Sequence, residues 1–389
     1  MKNEIKANKL RRLLKIGLFG SIFVIVTSLV SIRLFLGGGE YYEDISTDPL
    51  FGEDKLEIVA TLDMPPGNLA VSKEGRLFFN YHPFSGPQVS SVFELINGKP
   101  IPYPNAEFQD NFNKVLGMFI DSQNRLWTLD FAEFENRQSR LLAFDLSTGN
   151  MVHDHFFESD DDDLLNDLQV SPDGKTIYIT NPGIMPFKPA SMVVYDIENK
   201  TSRHVLIGHE SVNPQRWLIH TDAGDFQILF GLVTFRVGID GIAISKDGEW
   251  IYYGAMVHDS MYRIRTSELL NESLTPEELG CRVERIGKKP LSDGMSADLA
   301  DNIYITDVEH NGIARMAPDG TLQTLIKDKK VLWADGISFG PDNYIYFTDS
   351  KLPHIITDLM TPPPIEQIIE NAPYHIFRFR SDIGGIPGS

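Results

Sequence analysis

Leu291-Ser-Asp293-Gly-Met-Ser-Ala-Asp298-Leu-Ala-Asp-Asn-Ile303-Tyr-Ile-Thr-Asp307 holds a polar corner, a short apolar run, an Asp/Asn turn and a second apolar run ending in an acid. Runs of β-branched and aromatic residues bounded by turn residues read as strands. The pattern recurs as Gly67-Asn68-Leu-Ala-Val-Ser…Gly75-Arg-Leu-Phe-Phe, as Leu116-Gly117-Met-Phe-Ile-Asp…Asn124-Arg-Leu-Trp-Thr-Leu-Asp130, and as Asn166-Asp167-Leu-Gln-Val-Ser…Gly174-Lys-Thr-Ile-Tyr-Ile-Thr. It recurs again as Asp240-Gly241-Ile-Ala-Ile-Ser…Gly248-Glu-Trp-Ile-Tyr-Tyr and as Asp335-Gly336-Ile-Ser-Phe-Gly…Asn343-Tyr-Ile-Tyr-Phe-Thr-Asp349, which makes six copies.

A second pair of short β runs follows each copy, as in Leu141-Leu-Ala-Phe-Asp-Leu-Ser-Thr-Gly149 and Met192-Val-Val-Tyr-Asp-Ile-Glu-Asn. Four strands at a period of about 50 residues describe a propeller blade, because one such sheet buries its faces only against neighbours. The fold class expected is therefore all-β, a six-bladed β-propeller over residues 56–380, with a tail at 381–389. Leu56–Leu62 and His375–Arg380 are left over and are expected to pair in one blade, closing the ring and removing its exposed edges. Asn181–Gly238 is longer than one strand pair needs and reads either as a cover or as longer outer strands. Ser267–Gly280 reads as a short helical insertion capped by Thr275. The aspartates of the Asp-Gly turns, Asp173, Asp247 and Asp319, read as turn residues, as does Asp342.

Residues 1–15 are basic, 16–36 are almost uninterruptedly apolar, and 37–55 form an acidic linker. About 20 apolar residues span a bilayer as a helix, and the basic flank places the N-terminus in the cytoplasm. A cleaved signal peptide is the rival reading. Either way the body is expected outside the cytoplasm, membrane-anchored or secreted. The net charge of −19 excludes nucleic acid as a partner, since phosphates need a basic face. The single cysteine, Cys281, excludes an internal disulfide. The sequence has no Gly-rich phosphate loop, no Gly-x-Ser-x-Gly elbow, no zinc-type His or Cys spacing and no WD dipeptide, which removes support for nucleotide chemistry, serine hydrolysis, structural zinc and a WD40 scaffold.

In a propeller the first strand of each blade lines the channel, and the second returns to the mouth where the first began. Two sets of residues are thus expected at one mouth. The corner set is Asn68, Gly117, Asn166/Asp167, Asp240, Asp293 and Asp335. The strand-end set is His82, Asp130/Glu133, Asn181, His258, Asp307/His310 and Asp349. Converging carboxylates repel unless a cation neutralises them, and oxygen ligands from separate loops suit a hard ion such as Ca²⁺. Asn166, Asp240 and Asp293 are the candidate metal ligands. Asn68, Asp167, Asp335, Asp307 and His258 are the candidate contacts to a small-molecule ligand or substrate. His310 and His82 are the candidate proton carriers. Each corner Asp could equally cap its own turn. The acidic run Glu158–Asp163 reads as a solvated loop that could also draw cations.

The motifs Pro66-Gly-Asn68-Leu-Ala-Val-Ser, Leu165-Asn-Asp167-Leu, Gly238-Ile-Asp-Gly-Ile-Ala-Ile-Ser245, Lys289-Pro-Leu-Ser-Asp-Gly294 and Trp333-Ala-Asp-Gly336, in this order, resemble the yellow / major royal jelly protein family, particularly its bacterial members. The resemblance runs from about Leu56 to Arg380. It implies a six-bladed propeller, usually secreted, in a family whose members include binders of small amines and proteins linked to dopachrome tautomerisation. More distantly the chain is similar to gluconolactonase-like propellers and paraoxonases, which hold a divalent cation in the channel and hydrolyse lactones or esters. Their ligand-bearing corners look like Asn166-Asp167, Asp240-Gly-Ile-Ala and Asp293. Two departures stand out: Pro66-Gly67-Asn68 replaces the first-blade glutamate of those sites, and Asp240 stands where they have Asn. The resemblance implies a metal-dependent lactone or ester hydrolase, a non-catalytic binder of an amine or other cationic small molecule, or a dopachrome-tautomerase-like isomerase.

Overall fold

A computed structural model of the chain describes residues 2–86, 91–131, 138–157, 164–183, 188–356 and 363–389. Glu133 and the run Glu158–Asp163 lie outside the described residues. Six four-stranded antiparallel sheets form the body. Blade 1 is Pro66–Val71, Leu77–Tyr81, Val92–Ile96 and Lys99–Pro102; blade 2 is Val115–Ile120, Arg125–Asp130, Arg140–Asp145 and Met151–Phe156. Blade 3 is Leu168–Val170, Thr176–Asn181, Ser191–Asp196 and Thr201–Val205; blade 4 is Ile239–Ile244, Trp250–Ala255, Ser260–Arg265 and Glu284–Lys288. Blade 5 is Met295–Ala297, Ile303–Asp307, Gly312–Met316 and Leu322–Lys327. Blade 6 takes Ala334–Phe339, Tyr344–Asp349 and Tyr374–Arg380 from the end of the chain and its outermost strand, Glu57–Leu62, from the beginning. Ring closure is therefore as the leftover strands required, with Glu57 opposite Arg378 and Leu62 opposite Tyr374.

Inner and outer strands differ for a packing reason. Ile239–Ile244, Ile303–Asp307 and Ala334–Phe339 are buried at every position, because each blade stacks on two neighbours. The rim strand Met151–Phe156 keeps only His153 buried, and exposed positions reappear in Glu57–Leu62. The innermost strands of successive blades touch all the way round.

The repeated corner is a bulge. Register shifts interrupt the pairing at Pro66/Leu69, Val115/Gly117, Ile239/Ile242 and Ala334/Ile337, and such an extra residue re-aims a side chain. The glycine within or beside it is required by the neighbouring blade. A Cβ on Gly241 would lie 2.5 Å from the Asp293 carbonyl oxygen, one on Gly294 2.4 Å from the Asp335 oxygen, and one on Gly336 2.6 Å from the Asn68 Cα. Only glycine lets the backbones approach so closely, and that approach draws the acidic corners together.

The Asp-Gly turns behave as turns. Asp247 accepts from Ser245 Oγ and Glu249 N, and Asp319 from Thr321 N. The insertion after blade 4's third strand forms two short helices, Thr266–Leu269 and Pro276–Gly280, the second with a Thr275–Glu278 capping box. The long segment before blade 4 is a cover: hairpins His220–Thr221/Gly224–Asp225 and Gln227–Ile228/Val233–Thr234 fold over the mouth. It is fastened by Phe226, whose ring lies 4.3 Å from Phe235 and 5.4 Å, edge-on, from Trp333.

Parts of the linker and the tail are packed against the blades. Residues 47–51 run along the edge of blade 5, with Leu50 N and Phe51 N donating to Thr324 O and Leu325 O. The 381–389 tail passes under the ring. Ile120 N donates to Gly388 O, Phe339 N and Ser296 Oγ to Ser389 O, and Asp298 bridges Gly385. The exposed backbone at the channel floor is thereby paired. The N-terminal helix runs Lys2–Leu36, and its Arg12–Leu36 portion, with mean hydropathy 2.2 and none of it buried, is long and apolar enough to cross a membrane.

Candidate functional site: an acidic cavity on the propeller axis

The corners, bulged in blades 1, 4 and 6 and regular in blades 3 and 5, deliver Asn68, Asn166, Asp167, Asp240, Asp293 and Asp335 to one cavity, with His82 beside them. Its empty space is about 660 Å³ with the open mouth included, room for an ion with its waters or for a small molecule. The upper wall is apolar: Phe84 and Leu116 from the blades, Phe235 and Val237 from the cover, and Leu352 and Ile356 from the segment after Asp349. No Lys or Arg lines it among the described residues.

Four carboxylates in one cavity, three of them buried and Asp167 half-buried, resist ionising together. Burial raises the Asp167 carboxyl to about 7; the Asp293 charge adds to this and the Asn68 hydrogen bond opposes it. Burial also raises Asp293, to about 6, against a hydrogen bond from Trp333. Asp240 and Asp335 are pushed well up by burial first and then by the Asp293 charge. Asn68 Nδ2 donates to Asp167 Oδ1 at 2.5 Å, Asn166 Nδ2 donates to Asp240 Oδ1, and Trp333 Nε1 donates to Asp293 Oδ2 at 2.7 Å. Asp335 Oδ2 is buried with no hydrogen-bond partner. His82 Nε2 lies 3.9 Å from it. Phe84 N donates to His82 Nδ1 at 3.3 Å, so the ring proton of neutral His82 sits on Nε2, facing the cavity. Burial lowers the imidazole to about 3 and keeps it neutral.

The structure separates the two predicted sets. His82 reaches the cavity because the turn Pro83–Ser85 follows it directly. Asp307, His258 and His310 do not line it, which corrects their expected place there. Strand two ends by turning into its own connection, and these side chains cap that connection. Asp307 accepts from Glu309 N, His310 N and His310 Nδ1, and the far side of His310 faces Asp44 at 3.6 Å. His258 Nδ1 accepts from Ser260 N, with the ring against Tyr262. Asp349 receives Leu332 N and Trp333 N, Asp130 receives Asn113 N, and Asn181 donates to Ser191.

The positioning groups were not foreseen. Thr180, Thr306 and Thr348 offer Oγ1 to Asp167 N, Asp293 N and Gly336 N, tying each corner to its second strand. The signal was present in the threonine that precedes the strand-end Asn or Asp in Thr180-Asn, Thr306-Asp and Thr348-Asp. Lys289 is fully buried and donates to Pro290 O and Ser292 Oγ. Burial lowers it to about 7, opposed by the charges of Asp240, Asp259 and Asp307.

Among the described residues, no three His, Cys, Asp or Glu side chains already stand in a ligating cluster. The donors nevertheless fit a hard cation: all are carboxylate or amide groups, Asp240, Asp293 and Asp335 are buried, and Asp335 Oδ2 has no hydrogen-bond partner. Turning the Asn68 and Asn166 amides over would present Oδ1 in place of Nδ2.

No curated protein matches the chain in sequence. Among solved structures, a luciferin-regenerating enzyme superposes with TM-score 0.54 at 12% identity, covering 86% of this chain and 97% of that one. A gluconolactonase from Xanthomonas campestris gives 0.53 at 14% identity, covering 81% and 95%. The calcium-binding protein regucalcin from Agrobacterium tumefaciens gives 0.52 at 13% identity, covering 87% and 97%. At these identities the likeness establishes the shared propeller fold. The family model described as Major royal jelly protein matches residues 114–361, most of the body including five of the acidic-cavity corners, and the chain belongs to the major royal jelly protein family.

Proposed function

We propose that the axial cavity binds a divalent cation, Ca²⁺ by its donor chemistry, and hydrolyses a small lactone or ester. The observation that carries this reading is the convergence of Asp167, Asp240, Asp293 and Asp335 in one buried cavity with an unpartnered carboxylate oxygen. Asn166, Asp240 and Asp293 would hold the ion, with Asp167 and Asn68 completing the polar floor. Such an ion supplies Lewis-acid polarisation of a carbonyl. Asp335 Oδ2 takes the proton of the attacking water and returns it to the alkoxide oxygen released when the acyl C–O bond breaks. The His82 Nε2–H donates a hydrogen bond to the substrate from the side opposite Phe84's amide. The apolar wall packs the substrate body and excludes water. His310 has no part in this chemistry.

The test is a panel of aliphatic and aromatic lactones and esters assayed with Ca²⁺ and with chelator. Ca²⁺-dependent turnover is expected, lost in Asp335→Asn, and lowered in His82→Gln with Ca²⁺ binding retained. A panel without turnover, on protein that does bind Ca²⁺, removes the hydrolase reading.

One observation favours a second reading. The partnerless Asp335 oxygen beneath Phe84 and Phe235 also suits an ammonium group packed on aromatic faces. Amine binding that persists in chelator selects this non-catalytic alternative.

The N-terminal helix is proposed as an uncleaved anchor, with residues 1–15 cytoplasmic and the propeller on the other side, supported by its unburied apolar length and basic flank. Protease protection of the body in intact cells tests the side.

A further inference from the structure

The hairpin Gln227–Thr234 of the cover has a tip that neither solubility nor turn geometry explains. Its four-residue turn is Leu229-Phe230-Gly231-Leu232. Phe230 is 106% exposed and Leu229 39%. Both lie in the left-handed region, with φ of 57° and 52°, followed by Gly231 at 79°. Asn, Asp or Gly would take these positions without strain. A large apolar pair held there in water costs the fold twice, and such outliers are kept where something else uses them.

The same hairpin is joined to the end of the apolar helix. Thr234 Oγ1 donates to Gly38 O at 2.7 Å, and the Arg236 guanidinium donates to Leu36 O and Gly38 O. Gly37 abuts the Leu232 carbonyl so closely that a Cβ would lie 2.6 Å from it. Around this junction stand exposed Arg33, Arg216 and Tyr41 and half-buried Trp217. Basic and amphipathic aromatic residues at the end of an apolar helix mark the headgroup level of a bilayer.

We infer that the tip Leu229-Phe230-Gly231-Leu232 is a membrane-contact element that dips into the bilayer surface beside the N-terminal helix. The inference rests on the anchor reading given above. It commits the partner to a lipid surface, because the exposed apolar residues continue directly from the one segment of the described chain suited to a bilayer. It also bounds the distance of the cavity from the lipid. Phe235, a cavity-wall residue, is five residues from Phe230, at most roughly 17 Å of extended chain. The cavity wall therefore lies within that reach of the bilayer surface, where an apolar substrate would partition.

The test uses the full chain in nanodiscs of phosphatidylcholine and phosphatidylglycerol carrying lipids spin-labelled at both shallow and deep acyl positions. A fluorophore is placed at Phe230→Cys, Val24→Cys or Ile101→Cys in a Cys281→Ser background. Ile101, on the outer strand of blade 1, is exposed and serves as the body control. The expected result is a roughly twofold fall in emission at positions 230 and 24 on adding quencher lipid, with position 101 unchanged. Quenching at 24 without quenching at 230 overturns the inference and leaves the anchor standing. No quenching at 24 overturns both. Equal quenching at 101 and 230 shows unspecific adsorption and overturns the inference. Phe230 packs on nothing that the label would disturb, and circular dichroism of each labelled chain checks the fold.

Discussion

Replacing Asp293 by Asn removes the charge that Asp167, Asp240 and Asp335 each feel. Burial holds the Asp293 carboxyl at about 6, against an ordinary value of 3.8. A raised carboxyl pKa means that the folded chain holds the proton more tightly than the unfolded one. Stability therefore falls as pH rises from about 4 to about 6, and the full penalty applies above that window. At about 1.36 kcal/mol per pH unit, the penalty is on the order of 3 kcal/mol. The asparagine keeps an oxygen for the Trp333 N–H, so the hydrogen bond at 2.7 Å survives the change. In chelator near pH 8, Asp293→Asn is thus expected to melt higher than the parent by roughly 5 °C. Near pH 3, below both the folded and the unfolded value, the carboxyl is protonated in both folded and unfolded chains and the difference should nearly vanish. Added Ca²⁺ should raise the parent's melting temperature and leave the variant's almost unmoved. Calorimetry at both pH values, with and without Ca²⁺, reads all of these effects. A variant that is less stable at both pH values, with its Ca²⁺ response intact, would refute the view that these acids strain one another and await a cation.

Gly241→Ala would place a Cβ 2.5 Å from the Asp293 carbonyl; a loss of about 1–3 kcal/mol in denaturant unfolding and a weaker Ca²⁺ response are expected, whereas a neutral change would show that the corners are not held that closely. Trp333→Phe leaves Asp293 Oδ2 without its donor; a hydrogen bond to a charged group is worth roughly 1.5–3 kcal/mol, so Ca²⁺ affinity measured by titration calorimetry should fall about tenfold or more. Removing residues 382–389 exposes Ile120 N, Phe339 N and Ser296 Oγ at the channel floor; a melting temperature lower by several degrees is expected, and an unchanged one would mean that the tail adds nothing to the ring.

The fold was legible because its repeat is local. Each Asp-Gly or Asn-Asp corner is followed by two short apolar runs, and six copies leave little choice of architecture. The corner acids followed from that geometry, since equivalent positions on six blades must face one axis. The strand-end residues did not follow it. Asp307, His258 and His310 sit at places equivalent to His82, but what they touch depends on how each connection turns, and no period encodes that. The glycines of the corners serve the approach of adjacent blades, a contact between residues far apart in the chain that the local repeat does not show. In the sequence Trp333 is only the first residue of the Trp333-Ala-Asp-Gly336 motif; it is fully buried, and its indole N–H fixes Asp293, a pairing between blades that only three dimensions reveal. Residues 37–55 read only as an acidic linker and 381–389 only as a tail; the backbone hydrogen bonds that tie Leu50, Phe51, Gly388 and Ser389 to neighbouring strands have no signature in the sequence.

The claim that the corners form one cation site is tested most directly by terbium luminescence excited through tryptophan, because Trp333 touches Asp293 and would sit beside the ion. The account predicts sensitised emission that saturates at one ion per chain, is displaced by Ca²⁺, and is abolished in Asp293→Asn. Absent emission, or emission that Asp293→Asn leaves unchanged, would contradict it.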